Sequence, residues 1–169
     1  MTDSFFARQL ATYASYHRDP RNRATHMIGI PAIMFSILAA LALARVRVFG
    51  FDLSWAFIAA ALGMIGWIAL DRGIGIAMIV VTVPMLVVAE WLAASFSAAT
   101  VWIVFAVFFV GGWIFQLVGH VWEGRRPALV DNLFQAFVGP MFIMAEVMMT
   151  LGLKQELKSV VEDAPRPAA

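Results

Sequence analysis

The sequence predicts an all-α membrane protein: a bundle of about five transmembrane helices with an interfacial helix in front. Three observations predict it. Of 169 residues, 62% are hydrophobic and only 14% charged, and mean hydropathy is +0.84, whereas soluble domains are roughly 45–50% apolar and about 25% charged. A chain of this length cannot bury so much apolar surface in its own core, so the excess faces lipid. The apolar residues also fall into five runs, each close to the roughly 20 residues a span requires.

Residues 3–17 place Phe5, Phe6, Leu10, Tyr13 and Tyr16 on one helical face, with Arg8 and Gln9 off it, a pattern suited to a helix in the membrane interface. Asp19-Pro20 then reads as a stop and restart, Asp19 as N-cap and Pro20 at the first helical position. The first span runs from about Pro20 to Ala44. Its Ala42-Leu43-Ala44 end resembles a signal-peptide cleavage site, but the apolar run begins late and is long enough to be retained. The other four runs are Leu53–Leu70, Ile74–Ala94, Ala98–Val121 and Leu133–Leu153. Arg45 to Asp52, Asp71 to Gly73, Ser95 to Ser97 and Trp122 to Asn132 connect them. Residues 1–153 read as a single membrane domain, and residues 154–169 as a polar, frayed tail.

With five spans, Arg8, Arg18, Arg21, Arg23, Arg72, Arg125 and Arg126 share one side. Arg45, Arg47, Lys154, Lys158 and Arg166 lie on the other. The excess of cations puts the N-terminus in the cytoplasm. Pro140 leaves a second topology open, in which the last run is re-entrant and the tail lysines return to the cytoplasmic side. A repeat argues for a full span instead. Gly66-Trp67-Ile68 recurs as Gly112-Trp113-Ile114, and Pro84…Glu90 as Pro140…Glu146, so helices 2–3 resemble a divergent copy of helices 4–5. The two landmarks lie 18 residues apart in the first copy and 28 in the second. The extra residues fall between His120 and Asn132.

The three histidines, His17, His26 and His120, all fall on the cytoplasmic side in either topology, which points to one shared site. The chain has no cysteine, so a metal here would have nitrogen and oxygen ligands. His120 and Glu123 are three apart, on one face of a continuing helix. Histidine with carboxylate suits non-haem iron that keeps open positions, and zinc accepts the same groups. Arg125 and Arg126 suit the carboxylate of an amphiphilic substrate at the interface, as well as the positive-inside bias. Asn22, one turn before His26, is placed to orient it, and Asp131 caps the last helix. Glu90 and Glu146, ionisable groups inside spans, have matched places in the repeat. On the five-span orientation they lie past mid-membrane, away from the histidines.

Other chemistries lack support. There is no lysine-rich tract suited to nucleic acid, no serine in a nucleophile elbow, no phosphate-binding glycine loop, and too few histidines for the boxes of membrane di-iron desaturases.

Two segments together, YHRDPRNRATHMIGIP (16–31) and FQLVGHVWEGRRPALVDNLFQAFVGPMFIMAE (115–146), resemble the paired signatures of the small membrane family of 2-hydroxy fatty acid dioxygenases. The resemblance covers about residues 9 to 150. It implies an Fe(II)-dependent α-oxidation in which O2 is consumed, carbon 1 of a 2-hydroxy acid leaves as CO2, and a fatty acid one carbon shorter remains. It also implies that His17, His26 and His120 are catalytic and hold the iron. Glu123 is then a fourth ligand or a partner of the ligands, Asn22 and Asp131 support them, and Arg125 or Arg126 lies near the substrate headgroup. The bilayer supplies the setting. Arginine- and alanine-rich composition with only two lysines reads as bacterial, hence a bacterial inner membrane. Two rival readings remain at this point: a non-enzymatic lipid or ion carrier built on the repeat with Glu90 and Glu146, and a zinc hydrolase using the same histidines.

Overall fold

The structure, a computed structural model, describes residues 4–164, apart from the side chains of residues 129 and 131. In order, the elements are α1 (Phe5–Ser15), α2 (Pro20–Ala42), β1 (Arg45–Val48), β2 (Phe51–Ser54), α3 (Trp55–Leu70), α4 (Arg72–Ser95), α5 (Ala98–Glu123), α6 (Ala128–Asp131), α7 (Phe134–Thr150), the 3-10 turn η1 (Gln155–Leu157) and α8 (Lys158–Glu162). The chain is an integral membrane protein of the all-α class. Helices α2, α4 and α5 are each long and apolar enough to cross a bilayer, and the bent pair of α7 with η1–α8 makes up to four spans. Contacts divide the chain into two compact units, one built from the N-terminal residues through Ile30 together with Ile114 onward, the other from Pro31–Trp113.

In the Pro31–Trp113 unit, Leu38, Ala39, Ala42, Ala56, Ala60, Leu86, Ala89 and Val101 form a buried core. Small residues on the facing helices let the backbones approach, as membrane helices require. The stretch expected as a plain connection at Arg45 to Asp52 is an antiparallel hairpin pairing Arg45 with Ser54 and Val48 with Phe51. Its turn residues Phe49 and Gly50 both have positive φ (50° and 85°), the twist that matches a two-residue hairpin. The alternation in RVRV was the available signal. By claiming Leu53 and Ser54 for β2, the hairpin leaves α3 with 16 residues, roughly 24 Å of helix against a bilayer core of about 30 Å. That run, expected as a span, is a short apolar helix instead. Ser54 accepts from the N–H of Phe57 (2.9 Å) to cap α3, and its hydroxyl donates to Glu90. Glu90 also meets Arg45 (3.2 Å), which pairs with Asp52 (2.8 Å). These hydrogen bonds, to Asp52 first and Glu90 second, raise the Arg45 pKa above its ordinary value.

In the other unit, α1 buries Phe6, Leu10, Tyr13 and Ala14, packed against α7 and α8. The aromatic face expected to lie in the interface therefore meets protein. Gln135 donates to Gln9 (2.7 Å), and Phe5 meets Phe134 with ring centroids 5.7 Å apart. The expected frayed tail is helical as far as the description extends. Leu157, Val161 and Ala164 are buried, because they supply apolar contacts under an otherwise polar stretch. Between α7 and this segment the chain bends by 118°, through Gly152 (φ 81°) and Lys154 (φ 52°). Here the two repeat halves part company: α4 runs unbroken through Pro84, whereas α7 ends at Thr150.

Candidate metal centre

The Asp19-Pro20 restart forms as the sequence suggests. Helix α2 begins at Pro20, and Asp19 Oδ1 accepts from the N–H of Arg21 at 2.8 Å. Hydrogen bonds from Arg21 hold the Asp19 pKa down at about 2. The break between α1 and α2 turns the chain so that His17, just past α1, faces His26 on α2. Helix α5 brings His120 in its last turn. That turn closes through Gly124 (φ 69°), with Gly124 N–H donating to the Val121 carbonyl (3.2 Å) and Arg125 N–H to the His120 carbonyl (3.3 Å). This is the Schellman pattern, which a left-handed glycine permits.

The three rings meet. Centroids of His17 and His26 are 4.4 Å apart, and each lies 5.0 Å from that of His120. One ring nitrogen of each falls within 4.8 Å of the others. All three are buried, at 1%, 2% and 5% exposure, so water does not compete for them.

Hydrogen bonding decides what the nitrogens can do. His17 Nδ1 lies 2.7 Å from the Tyr13 carbonyl, and His26 Nδ1 lies 2.9 Å from the Asn22 carbonyl. A carbonyl only accepts, so both Nδ1 atoms carry the proton and both Nε2 atoms present lone pairs when neutral. Those two Nε2 atoms face each other at 3.0 Å. Two lone pairs at that distance repel unless a cation lies against both. Burial first, and the neighbouring His26 second, push the His17 pKa well below its ordinary value, which disfavours a proton as that cation. His120 Nδ1 is buried with no hydrogen-bond partner. A metal ion fits this donor set. Two nitrogens about 2.1 Å from one ion and at right angles are about 3.0 Å apart, and carbonyl partners on the far ring nitrogens are the usual orienting shell.

The other expected residues take varied places. The Glu123 carboxylate accepts from the backbone N–H groups of Arg18 (3.1 Å) and Asp19 (2.8 Å) and from Asn22 Nδ2 (3.1 Å). Both its oxygens are thus engaged in holding the α1–α2 turn. Asn22 links this carboxylate to His26, the orienting place expected of it. Arg125 is half-buried and Arg126 exposed, both in the turn after α5. Asp131 ends α6, and its side chain lies outside the described residues.

Sequence reasoning misplaced Glu146 and missed Arg23. Arg23 Nε donates to the His17 carbonyl at 2.6 Å, and its Nη1 pairs with Glu146 at 2.9 Å. Glu146 therefore lies beside the histidines and not past mid-membrane. The bend after α7 explains why: the last run turns back where a full span would have carried on. The guanidinium also sits over Phe142, 6.0 Å from its centroid. Phe142 lies 4.8 Å from the Tyr13 ring, and Tyr13 stacks on His17 at 4.0 Å. Burial, then the Glu146 charge, raise the Tyr13 pKa above its ordinary value, so its hydroxyl stays protonated. One sequence signal for this shell existed: Tyr13 precedes His17 by four, as Asn22 precedes His26, the spacing at which a carbonyl meets a side chain one turn on.

A family model described as "2-hydroxy-palmitic acid dioxygenase Mpo1-like" matches residues 4–151. The protein named 2-hydroxy-palmitic acid dioxygenase MPO1 of Saccharomyces cerevisiae is 34% identical over 158 residues, covering 91% of this chain and 86% of that protein. No solved structure matches the chain. With the model spanning most of the sequence and all three histidines inside the match, this chain belongs to the Mpo1-like family of 2-hydroxy-palmitic acid dioxygenases.

Proposed function

We propose that the protein is an iron-dependent membrane dioxygenase that shortens 2-hydroxy fatty acids by one carbon. The overall step balances as R–CHOH–COOH + O2 → R–COOH + CO2 + H2O: the bond between carbons 1 and 2 breaks, carbon 2 is oxidised and O2 is reduced. The observation that carries the reading is the buried trio, whose Nε2 lone pairs on His17 and His26 converge at 3.0 Å. His17, His26 and His120 would hold the ion, which when bound would supply the redox chemistry and open positions that O2 reactions need.

The chain's own residues do the rest. The Tyr13 and Asn22 carbonyls keep both Nδ1 atoms protonated, so Nε2 faces inward. Glu123 fixes the turn that brings His17 to His26, and is here a supporting residue; a role for Asp131 beside it stays part of the proposal. Burial of the trio excludes bulk water, which protects reactive oxygen chemistry from side reactions. Arg125 and Arg126, in the turn after α5, attract anionic headgroups at the interface. The nitrogen-only trio accommodates zinc as well, but family membership favours oxidation over hydrolysis. The pairing of Glu90 and Glu146 with Arg45 and Arg23 removes the free carboxylates that a carrier reading relied on.

The return of α7 and α8 puts Lys154 and Lys158 on the side of Arg18, Arg21 and Arg23, which strengthens the cation bias for a cytoplasmic N-terminus. We place the histidines at that face, in a bacterial inner membrane. The test is purification without oxygen, metal assay, and O2 uptake with 2-hydroxypalmitate. Iron-dependent uptake that releases CO2 and disappears in His120→Ala is expected. Protein that binds no iron and takes up no O2 would overturn the reading.

A further inference from the structure

Beside Arg23 lies a cavity of about 350 Å³ lined by Arg23 and Met27 of α2, Glu146, Met149 and Thr150 of α7, and Gln155, Lys158, Val161 and Glu162 of the C-terminal segment. We propose that it is the docking site for the carboxylate head and first methylenes of a long-chain fatty acid, with Arg23 and Lys158 as the residues that recognise the carboxylate. The inference rests on the fatty-acid reading above and names the recognition site within it.

Four observations converge. Arg23 spends one N–H on the His17 carbonyl and one on Glu146, so three of a guanidinium's five donors have no protein partner among the described residues. A planar fork with spare donors is the preferred partner of a carboxylate. Lys158 meets Glu162 at 3.8 Å, with both side chains about 60% exposed, so that contact is weak and its ammonium can turn to a ligand. Met27, Met149 and Val161 supply an apolar wall, with methionines that repack readily around a flexible chain. Finally, Arg23 touches the His17 backbone, so a carboxylate held there lies next to the metal trio. The lining carries two cations and two carboxylates, a balance in which an entering carboxylate shares Arg23 with Glu146. A divalent cation would meet Arg23 and Lys158 and be repelled.

The same chemistry describes the 2-hydroxy acid that enters and the shortened acid that leaves. Metal-free protein in lipid nanodiscs is irradiated with a palmitate analogue bearing a diazirine near its carboxyl end, and labelled peptides are mapped. Expected is saturable labelling at Met27, Met149 or Val161, displaced by 2-hydroxypalmitate or pentadecanoate at concentrations at least tenfold below those of hexadecanol. Stronger displacement by the 2-hydroxy acid assigns the cavity to substrate, and stronger displacement by pentadecanoate to product. Met149→Trp, which fills the space, and Lys158→Glu, on the exposed rim, should each cut labelling about tenfold and leave metal binding by the trio intact. Labelling spread over lipid-facing residues, hexadecanol competing as well as the acids, or labelling that survives both variants would overturn the proposal. Because the protein carries no metal in this assay, these outcomes are independent of whether the metal is iron.

Discussion

His17 Nε2 and His26 Nε2 face each other at 3.0 Å, each backed by a carbonyl on its Nδ1. Such a pair is poised for a cation, so single His17→Ala and His26→Ala variants should each lose the bound metal. Loading the wild type should raise its melting temperature. An ion at a hundred times its dissociation constant adds about 2.7 kcal/mol, and a chelator should reverse the gain. Metal stoichiometry and thermal melting together check this. Full occupancy in either alanine variant would exclude that histidine as a ligand.

Glu123 should behave differently from the histidines. Its oxygens satisfy two backbone N–H groups and Asn22, so Glu123→Ala leaves those donors unpaired, at a cost of about 1–3 kcal/mol. Metal affinity should fall by roughly 10–100-fold, as for loss of an orienting partner, without disappearing. A metal titration of Glu123→Ala against His120→Ala separates support from ligation.

Gly119 marks where α5 comes closest to α2 at the site. A Cβ there would fall onto Thr25 Oγ1 and Asn22 Oδ1. Gly119→Ala should therefore push α5 away, costing about 1–3 kcal/mol, and weaken metal binding through the Asn22 link to His26. The checks are melting temperature and metal affinity. An unchanged affinity would mean that the helices repack without moving the trio.

Much of this site was legible in the sequence because its determinants are local. Asp19-Pro20 announces a helix restart, Gly124 a helix end, and the three histidines are the chain's full complement. What escaped depends on distant pairings. Arg23 and Glu146 are separated by most of the chain, and nothing within either segment signals their contact. The same holds for Glu123 and the turn at Arg18 and Asp19. Hydropathy counts apolar residues but not direction, so the last run read as a span although the chain doubles back after Thr150. Likewise, ten apolar-to-mixed residues before α3 hid a hairpin whose only sign was its alternation.

The two repeat-matched glutamates give a direct contrast. Glu146 pairs with the arginine that holds the His17 carbonyl, whereas Glu90 pairs with Arg45 and Ser54 at the hairpin. Glu146→Gln should weaken metal binding severalfold, because Arg23 loses its partner and the backbone of His17 loosens. Glu90→Gln should lower thermal stability with metal affinity unchanged. Arg23→Lys restores charge but not the two-directional fork, so it should resemble Glu146→Gln. Equal effects of the two glutamate variants on metal affinity would contradict the assignment.

The pairing of Glu146 with Arg23, and the shared cavity that adds Lys158 to them, also dictate membrane sidedness. If α7 crossed fully, Lys158 would emerge on the face opposite Arg21. With the 118° bend, both lie at one face. The chain contains no cysteine, so Arg21→Cys and Lys158→Cys, both at exposed positions, each introduce a single reporter. In sealed vesicles of one orientation, an impermeant maleimide should label both variants or neither. Labelling of one alone would show that the last helix spans, and would break the link between α7 and the histidine site.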